Sequence, residues 1–411
     1  MTNNAYQNGM PLWPSIDEIP TLYPWLSQKE RCQVLILGGG ITGAFTALRF
    51  AKAGVDTIVL SADPIGFGST AACQGILWGD AVLPETHVPE EWEGEGFDRL
   101  NQRCARALDE ISSLVEQESI SCGFSRLDSL LIAQSQAGAE RLKKKYLEQK
   151  RLENDISFLL PQTHQDFVSF DFEAAMLGKN QAASCDPFQL THGLILAAQK
   201  AGARIYEHTT AECIRRENGA YLVTTGAGQT VTASTLILAI GAECAKFLPG
   251  CGWLRTSFCL ATEPAGILAG WPEKTAIRTE GRHSAQYSIT PDGRIFSTGL
   301  QTGLIDREGK LAGIIPLPSL YEKKFSQLEG ALHAMFPGVR GAKTAYTFSS
   351  LSLESEDGLP LLGELREYPS CYCAVCGGIN GIVYSHIASN MLFDLHEGKK
   401  PSLLPLFDPY R

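Results

Sequence analysis

Residues 34–53 read VLILGGGITGAFTALRFAKA, and the order of residue types in this stretch decides the fold. Val34 to Leu37 form an apolar run with no polar alternation, the pattern of a strand covered on both faces. Gly38, Gly39, Gly40, Ile41, Thr42 and Gly43 follow at once, and a helical pattern then carries Phe45, Leu48 and Phe50. The stretch therefore predicts a buried strand, a tight glycine turn and a helix. In such a turn Gly38 reverses the chain, Gly40 lets a pyrophosphate approach the backbone because it has no Cβ, and Gly43 lets the helix pack close to the strand. An anion placed there meets unpaired N–H groups of the first helical turn and the positive end of the helix dipole. Gly54 closes the helix and Thr57 to Leu60 reads as a second strand, so the pattern has on both sides the context that a dinucleotide site requires.

The rest of the composition narrows the ligand. A chain of 411 residues exceeds one small core, and two interleaved or consecutive domains are expected. The net charge of -10 and a pI near 5.4 favour a small ligand over nucleic acid or an anionic membrane surface, each of which needs a basic face. No apolar run reaches the roughly 18 residues that cross a bilayer. Residues 1–20 show neither the basic start nor the apolar centre of a signal peptide, so the expected location is the cytoplasm. Of the twelve cysteines, only Cys371, Cys373 and Cys376 cluster, in the segment YCAVCGG. With no fourth ligand at a fixed spacing, the segment reads as a buried strand entering a glycine turn, and no metal site is expected.

Outward from the opening stretch, residues 1–30 carry Trp13, Tyr23, Trp25 and several prolines without a period, which predicts an extended arm on the surface. Ser61 and Ala62 stand at the end of the second strand, where an acidic side chain usually holds ribose hydroxyls, and Asp63 follows. The small, glycine-rich segment Gly66 to Leu77 is poor in charge and suits backbone contact with a ligand. Periodicity predicts helices over 97–118 and 139–154, the latter a solvated charged face. Asp186-Pro187 opens a helix through Lys200. Strands are expected at 204–206, 221–225 and 230–232, and a separate parallel strand, Thr235 to Ala239, ends at Gly241. Thr290-Pro291-Asp292-Gly293 makes a hairpin turn between 286–289 and 294–298, within a mixed or antiparallel second domain. A loop at 357–363, a strand at 372–375 and the turn Gly377-Gly378-Ile379-Asn380-Gly381-Ile382 then lead into a last helix, whose N-terminus would face the same ligand.

Four blocks carry a family resemblance: VLILGGGITGAFTALRFAKAG, GSTAACQGIL, CDPFQLTHGLILAAQKAGARIYEHT with LILAIGA after it, and EDGLPLLG followed by GGINGI. In order and spacing, from about residue 30 to residue 400, the chain resembles FAD-dependent oxidoreductases of the D-amino-acid oxidase and glycine oxidase family. The resemblance implies an α/β fold, with a Rossmann-like FAD-binding domain interleaved with a mixed or antiparallel substrate domain. The expected boundaries are 1–85, 155–250 and 347–411 for the first and 86–154 and 251–346 for the second. It implies noncovalent FAD, with pyrophosphate near Gly38, Gly40, Ile41, Thr42 and Gly43 and ribose near Ser61 and Ala62. Gly68, Ser69, Thr70, Ala71, Ala72, Gln74, Gly75 and Ile76 would run along pyrophosphate and flavin, and Ala211 would meet the adenine. Ala239, Gly241 and Gly358 would complete the cradle, with Gly378, Ile379, Asn380, Gly381 and Ile382 at the pyrimidine end.

The implied reaction is hydride transfer from the carbon bearing an amine to flavin N5, followed by hydrolysis of the imine, with oxygen or another electron acceptor closing the cycle. Such chemistry needs little acid or base catalysis once the amine is neutral, and His208, His283 and His386 are read as structural. The family's carboxylate-binding Arg ahead of the late loop is replaced here by Leu351, Ser352 and Leu353. The Lys that assists oxygen in sarcosine-oxidase relatives is absent from 295–298, and their tethering Cys is absent from 347–356. Ile76, Trp78, Gln286, Tyr287 and Ser352 remain as substrate-pocket candidates. Two other readings stay open on the sequence: an NAD(P)-dependent dehydrogenase, and a flavin-binding subunit without turnover.

Overall fold

In a computed structural model of the chain, residues 7–82, 95–151, 155–163, 168–265, 271–281, 285–303, 318–339 and 341–411 are described; His283 lies outside them. Glu30–Leu37, the strand of the opening stretch, is central in a sheet that has eight strands among the described residues. It pairs in parallel with Thr57–Leu60 on one side and Thr230–Leu238 on the other. Arg204–Tyr206 and Cys371–Val375 extend the parallel order, and Leu361–Glu364 closes one edge antiparallel. Val34, Leu35 and Ile36 are fully buried, as expected for a strand with both faces covered. Helices Ile41–Lys52, Pro187–Lys200 and Gly381–His396 pack on one face. The hairpin of Ala211–Glu217 and Ala220–Thr225 helps cover the other.

Thr230–Leu238 is one strand where the sequence suggests two. Its first half pairs antiparallel with Ala220–Thr225, and its second half pairs in parallel with Cys371–Val375 along the same edge. The change from alternation to a continuous apolar run thus marks a change of partner and of cover, not a break in the strand. The Asp186-Pro187 start is as the sequence predicts: the Asp186 carboxylate accepts from the Phe188 and Gln189 N–H groups at 2.7 and 3.0 Å.

Among the described residues the second sheet has ten strands, and a mixed order of pairing runs from Gln7–Gly9 through Thr344–Glu354, Trp253–Pro264 and Arg294–Gly303 to Ala174–Ser184 and Ile76–Trp78. Ile76–Trp78, Ile156–Leu159, Ala174–Ser184 and Thr344–Glu354 therefore belong to this sheet, although the sequence boundaries put most of them with the cofactor domain. AAMLGKNQAAS, the sequence of Ala174–Ser184, lacks β-branched residues, which is why it does not announce a strand. Helix Pro318–Met335 packs against the face formed by Phe258, Leu260 and Tyr287.

The N-terminal arm is tied in more deeply than expected. Trp13 is buried, stacks on Phe296 and donates its Nε1 to the Cys73 carbonyl at 2.7 Å. Further along, the Glu207 carboxylate, fully buried, accepts from Tyr23 N–H at 3.1 Å and Ile65 N–H at 2.6 Å. Trp25 does remain on the surface.

Candidate active site

The glycine turn is built by close approach. Gly38 has φ +114°, and a Cβ there would lie 2.2 Å from the Ala239 carbonyl oxygen. A Cβ on Gly43 would lie 1.9 Å from the Gly38 oxygen, so only glycine allows the helix to sit this near the turn. Gly40 precedes the first helical residue and offers no capping side chain, while Thr70 Oγ1 accepts from Ile41 N–H at 3.0 Å. The late turn has the same construction: Asn380 precedes helix Gly381–His396 without capping it, and a Cβ on Gly377 would meet the Leu353 oxygen at 2.5 Å. A Thr42–Ser385 hydroxyl contact of 2.8 Å joins the two helices near their starts.

Between the turns lies a cavity of about 490 Å³, within the range of cofactor and ligand clefts. It is lined by Gly38, Gly40, Ile41 and Thr42, by Ser61 and Ala62, by Gly68, Ser69 and Thr70, and by Ala211, Ala239 and Gly241. A second cavity of about 120 Å³ shares Ile41, Ser69, Thr70, Ser352, Cys376 and Gly377 with the first, so the two adjoin. Its wall includes Ala72, Gln74, Ile76, Gln286, Gly378, Ile379, Gly381 and Ile382. A long cleft with two helix starts whose N-cap residues make no side-chain cap, and with glycines where any Cβ would intrude, fits the pyrophosphate and ring system of FAD.

Several predicted residues stand elsewhere. Tyr287 follows Gln286 on one strand and so points to the opposite face, where its ring meets Phe336 beneath helix Pro318–Met335. Tyr287→Phe is accordingly expected to leave substrate kinetics within about twofold of the parent, because its hydroxyl lies on the face away from the cavity; steady-state assay checks this. Trp78 is fully buried behind the second cavity, donating Nε1 to Gln286 Oε1 at 2.9 Å with the Arg278 guanidinium over its ring. Its role is to hold Gln286 in the wall. The Asn380 carboxamide is occupied with the chain around Trp78: it accepts from Trp78 N–H and donates to the Trp78 and Asp80 carbonyls, at 3.0 to 3.1 Å. Gly43, Ala71, Gly75 and Gly358 line neither cavity; a Cβ on Gly75 would meet the Cys185 oxygen at 2.1 Å, so its place is structural.

The sequence reading missed Cys73, Ser257, Cys259, Thr298, Ser350 and Glu354, all in the second wall. Alternation along Trp253–Pro264 and Thr344–Glu354 puts the serines on one face, a signal visible only once the face is known. Cys371 and Cys373 are buried in their strand and burial pushes both thiols up, while Cys376 reaches the cavities. His386 contacts Glu110 at 2.7 Å, away from either cavity, and His208 lines neither. Among the described residues no helix is long and apolar enough to cross a membrane.

A profile of the FAD dependent oxidoreductase (DAO) family matches residues 33–395. Glycine oxidase from Geobacillus kaustophilus (strain HTA426) is 24% identical over 383 residues, spanning 90% of this chain and 94% of its own. Gamma-glutamylputrescine oxidoreductase of Escherichia coli (strain K12) is 24% identical over 385 residues, spanning 91% and 85%. The crystal structure of the G. kaustophilus glycine oxidase superposes with a TM-score of 0.77 at 20% identity, over 93% of this chain and 99% of that one. L-Amino acid deaminase from Proteus vulgaris gives 0.75 at 16% identity, over 94% and 100%. The family match runs through both glycine turns and both cavities, and the chain belongs to the FAD dependent oxidoreductase (DAO) family.

Proposed function

We propose that this protein oxidises the C–N bond of a small amine or amino acid, with the first cavity for the dinucleotide and the second for the reacting end. FAD, when bound, supplies the two-electron acceptor for a hydride leaving the carbon next to nitrogen. Family membership sets aside the nicotinamide reading. The observation that carries the proposal is the second cavity: it adjoins the dinucleotide cleft and opens on a wall of Gln286, Thr298, Ser257, Ser350 and Ser352.

The chain's own work there is placement. In this reading the backbone of Gly38 to Thr42 and Gly68 to Thr70 grips the pyrophosphate, Ser61 and Ala62 meet the ribose, and Ala211 flanks the adenine. Gln286, with its Oε1 fixed by Trp78, presents its remaining amide donor from a locked side chain. In this reading hydride leaves the carbon of the neutral amine, whose nitrogen lone pair supports the departure, and the imine hydrolyses in water. All twelve cysteines are free thiols, which supports a reducing compartment such as the cytoplasm. Oxygen or another acceptor would reoxidise the protein.

Product analysis tests the reading. Incubated without oxygen, FAD-loaded protein should release about one carbonyl product and one ammonia or amine per flavin from a competent amine or amino acid. Absence of both across monoamines, diamines and D- and L-amino acids would leave a flavin-binding protein without turnover.

A further inference from the structure

Resting on the reading of the second cavity as the reacting end, we propose that the N-terminal arm is a working part of the active site, in which Trp13 is a positioning residue that holds the wall segment Ala72 to Gln74 in place.

That segment has no regular structure to fix it. Residues 61–75 are all described and belong to no helix or strand, so their backbone is placed by individual ties and not by a ladder. Yet Ser69, Thr70, Ala72, Cys73 and Gln74 line the second cavity, and Ser69 and Thr70 line the first as well. Cys73 N–H donates to the Thr70 carbonyl at 3.1 Å, which shapes the turn without setting it against its neighbours.

Contacts from other elements do that. Gln74 Nε2 donates to the Phe296 carbonyl at 3.1 Å and to Ser288 Oγ at 3.2 Å. The Cys259 thiol, a weak donor, reaches the Ala72 carbonyl at 3.6 Å. Between these two ties, Trp13 Nε1 donates to the Cys73 carbonyl at 2.7 Å, the short end of the range for such bonds. Trp13 thus bonds a residue that itself lines the cavity, and one residue separates the indole from the reacting end.

The arm is firm enough to serve as an anchor. Gln7–Gly9 pairs antiparallel with Thr344–Glu354, and Leu12 and Trp13 are buried in one apolar cluster with Ala72, Cys259, Phe296 and Phe348. The Trp13 ring stacks on Phe296 with centroids 6.1 Å and planes 15° apart, and it is the Phe296 carbonyl that holds Gln74. Ring and N–H therefore act on the same short stretch of wall. A phenyl ring could supply the packing, but the directed bond to Cys73 needs the indole N–H.

The test uses the full-length, FAD-loaded protein and reads the bound flavin as well as its turnover. Trp13→Phe keeps a ring and removes the donor. It should fold, by Tm and FAD content, yet change the visible circular dichroism of bound FAD. The reductant is whichever monoamine, diamine or D- or L-amino acid reduces the parent fastest. With it, the limiting anaerobic rate of flavin reduction should fall by at least about fivefold, more than apparent Kd rises. Trp13→His, which again carries a ring N–H, should recover part of both changes. Trp25→Ala, exposed on the same arm, should alter neither. Parent-like dichroism and reduction in folded Trp13→Phe, or loss of folding in both Trp13 variants, would overturn the inference and leave Trp13 as packing. A changed dichroism in a protein that none of these compounds reduces would defeat the amine-oxidising reading and leave the tie to the cavity wall standing; unchanged dichroism with no reduction would defeat both.

Discussion

Gly43→Ala should yield protein that purifies colourless and takes up added FAD at least a hundredfold more weakly than the parent. The added Cβ would lie 1.9 Å from the Gly38 carbonyl oxygen, and that atom belongs to the backbone of the turn itself. No side chain can move aside to relieve the contact. The helix must retreat or the turn must open, at roughly the 3 kcal/mol that marks the upper range of overpacking, which is about a hundredfold in affinity. Either movement displaces Ile41 and Thr42, which line the dinucleotide cavity. Gly330→Ala is the control: it lies in helix Pro318–Met335 with nothing within 4 Å of the new methyl, and it should gain slightly in stability without changing FAD uptake. Equilibrium FAD titration of the two variants separates a local clash from a general intolerance of substitution.

Asp80→Asn should be the most destabilising single polar substitution near the second cavity. Asp80 and Arg278 are both buried; the Asp80 carboxylate accepts from Arg278 Nη2 at 2.5 Å and Lys145 Nζ at 2.8 Å. Removing the one anion leaves two cations in a buried site, which costs about 3–5 kcal/mol. The effect should reach the active site, because Arg278 also lies over the Trp78 ring that fixes Gln286. Burial opposes ionisation of Asp80, but Arg278 and Lys145 outweigh it and hold the carboxyl at about 2. An unfolded aspartate titrates near 3.9. The folded pKa is thus the lower one, so this contribution is complete above about pH 4 and is lost as pH falls through about 2. Urea unfolding from pH 6 to pH 3 should show the parent losing stability toward acid more steeply than Asp80→Asn.

These features differ in how far they could be read ahead. The glycine turns at Gly38 to Gly43 and Gly377 to Ile382 were legible because their chemistry is local: an apolar run, glycines at fixed offsets and a helix all fall within twenty residues. Trp78, Asn380 and Tyr287 were misplaced for a different reason. The partners that decide their roles are distant, with Asn380 bonded to Trp78 across 302 positions and Trp78 to Gln286 across 208. For Tyr287 the strand was legible but its parity was not, since either of two adjacent residues can face a pocket until the cover of one face is known. Glu354 was overlooked because it stands two residues beyond Ser352, at the edge of a loop, where an acidic residue ordinarily reads as solvated. Its carboxyl lies beside the Gly377–Gly378 turn, which follows 23 residues later in the chain.

The central claim is that one cleft joins a dinucleotide cradle to an amine pocket. Anaerobic mixing of FAD-loaded protein with a small amine, followed at the flavin band of about 450 nm, tests it most directly. Bleaching of that band by the amine is the predicted result; a band that persists with every amine and amino acid, in protein shown to bind FAD, would contradict it.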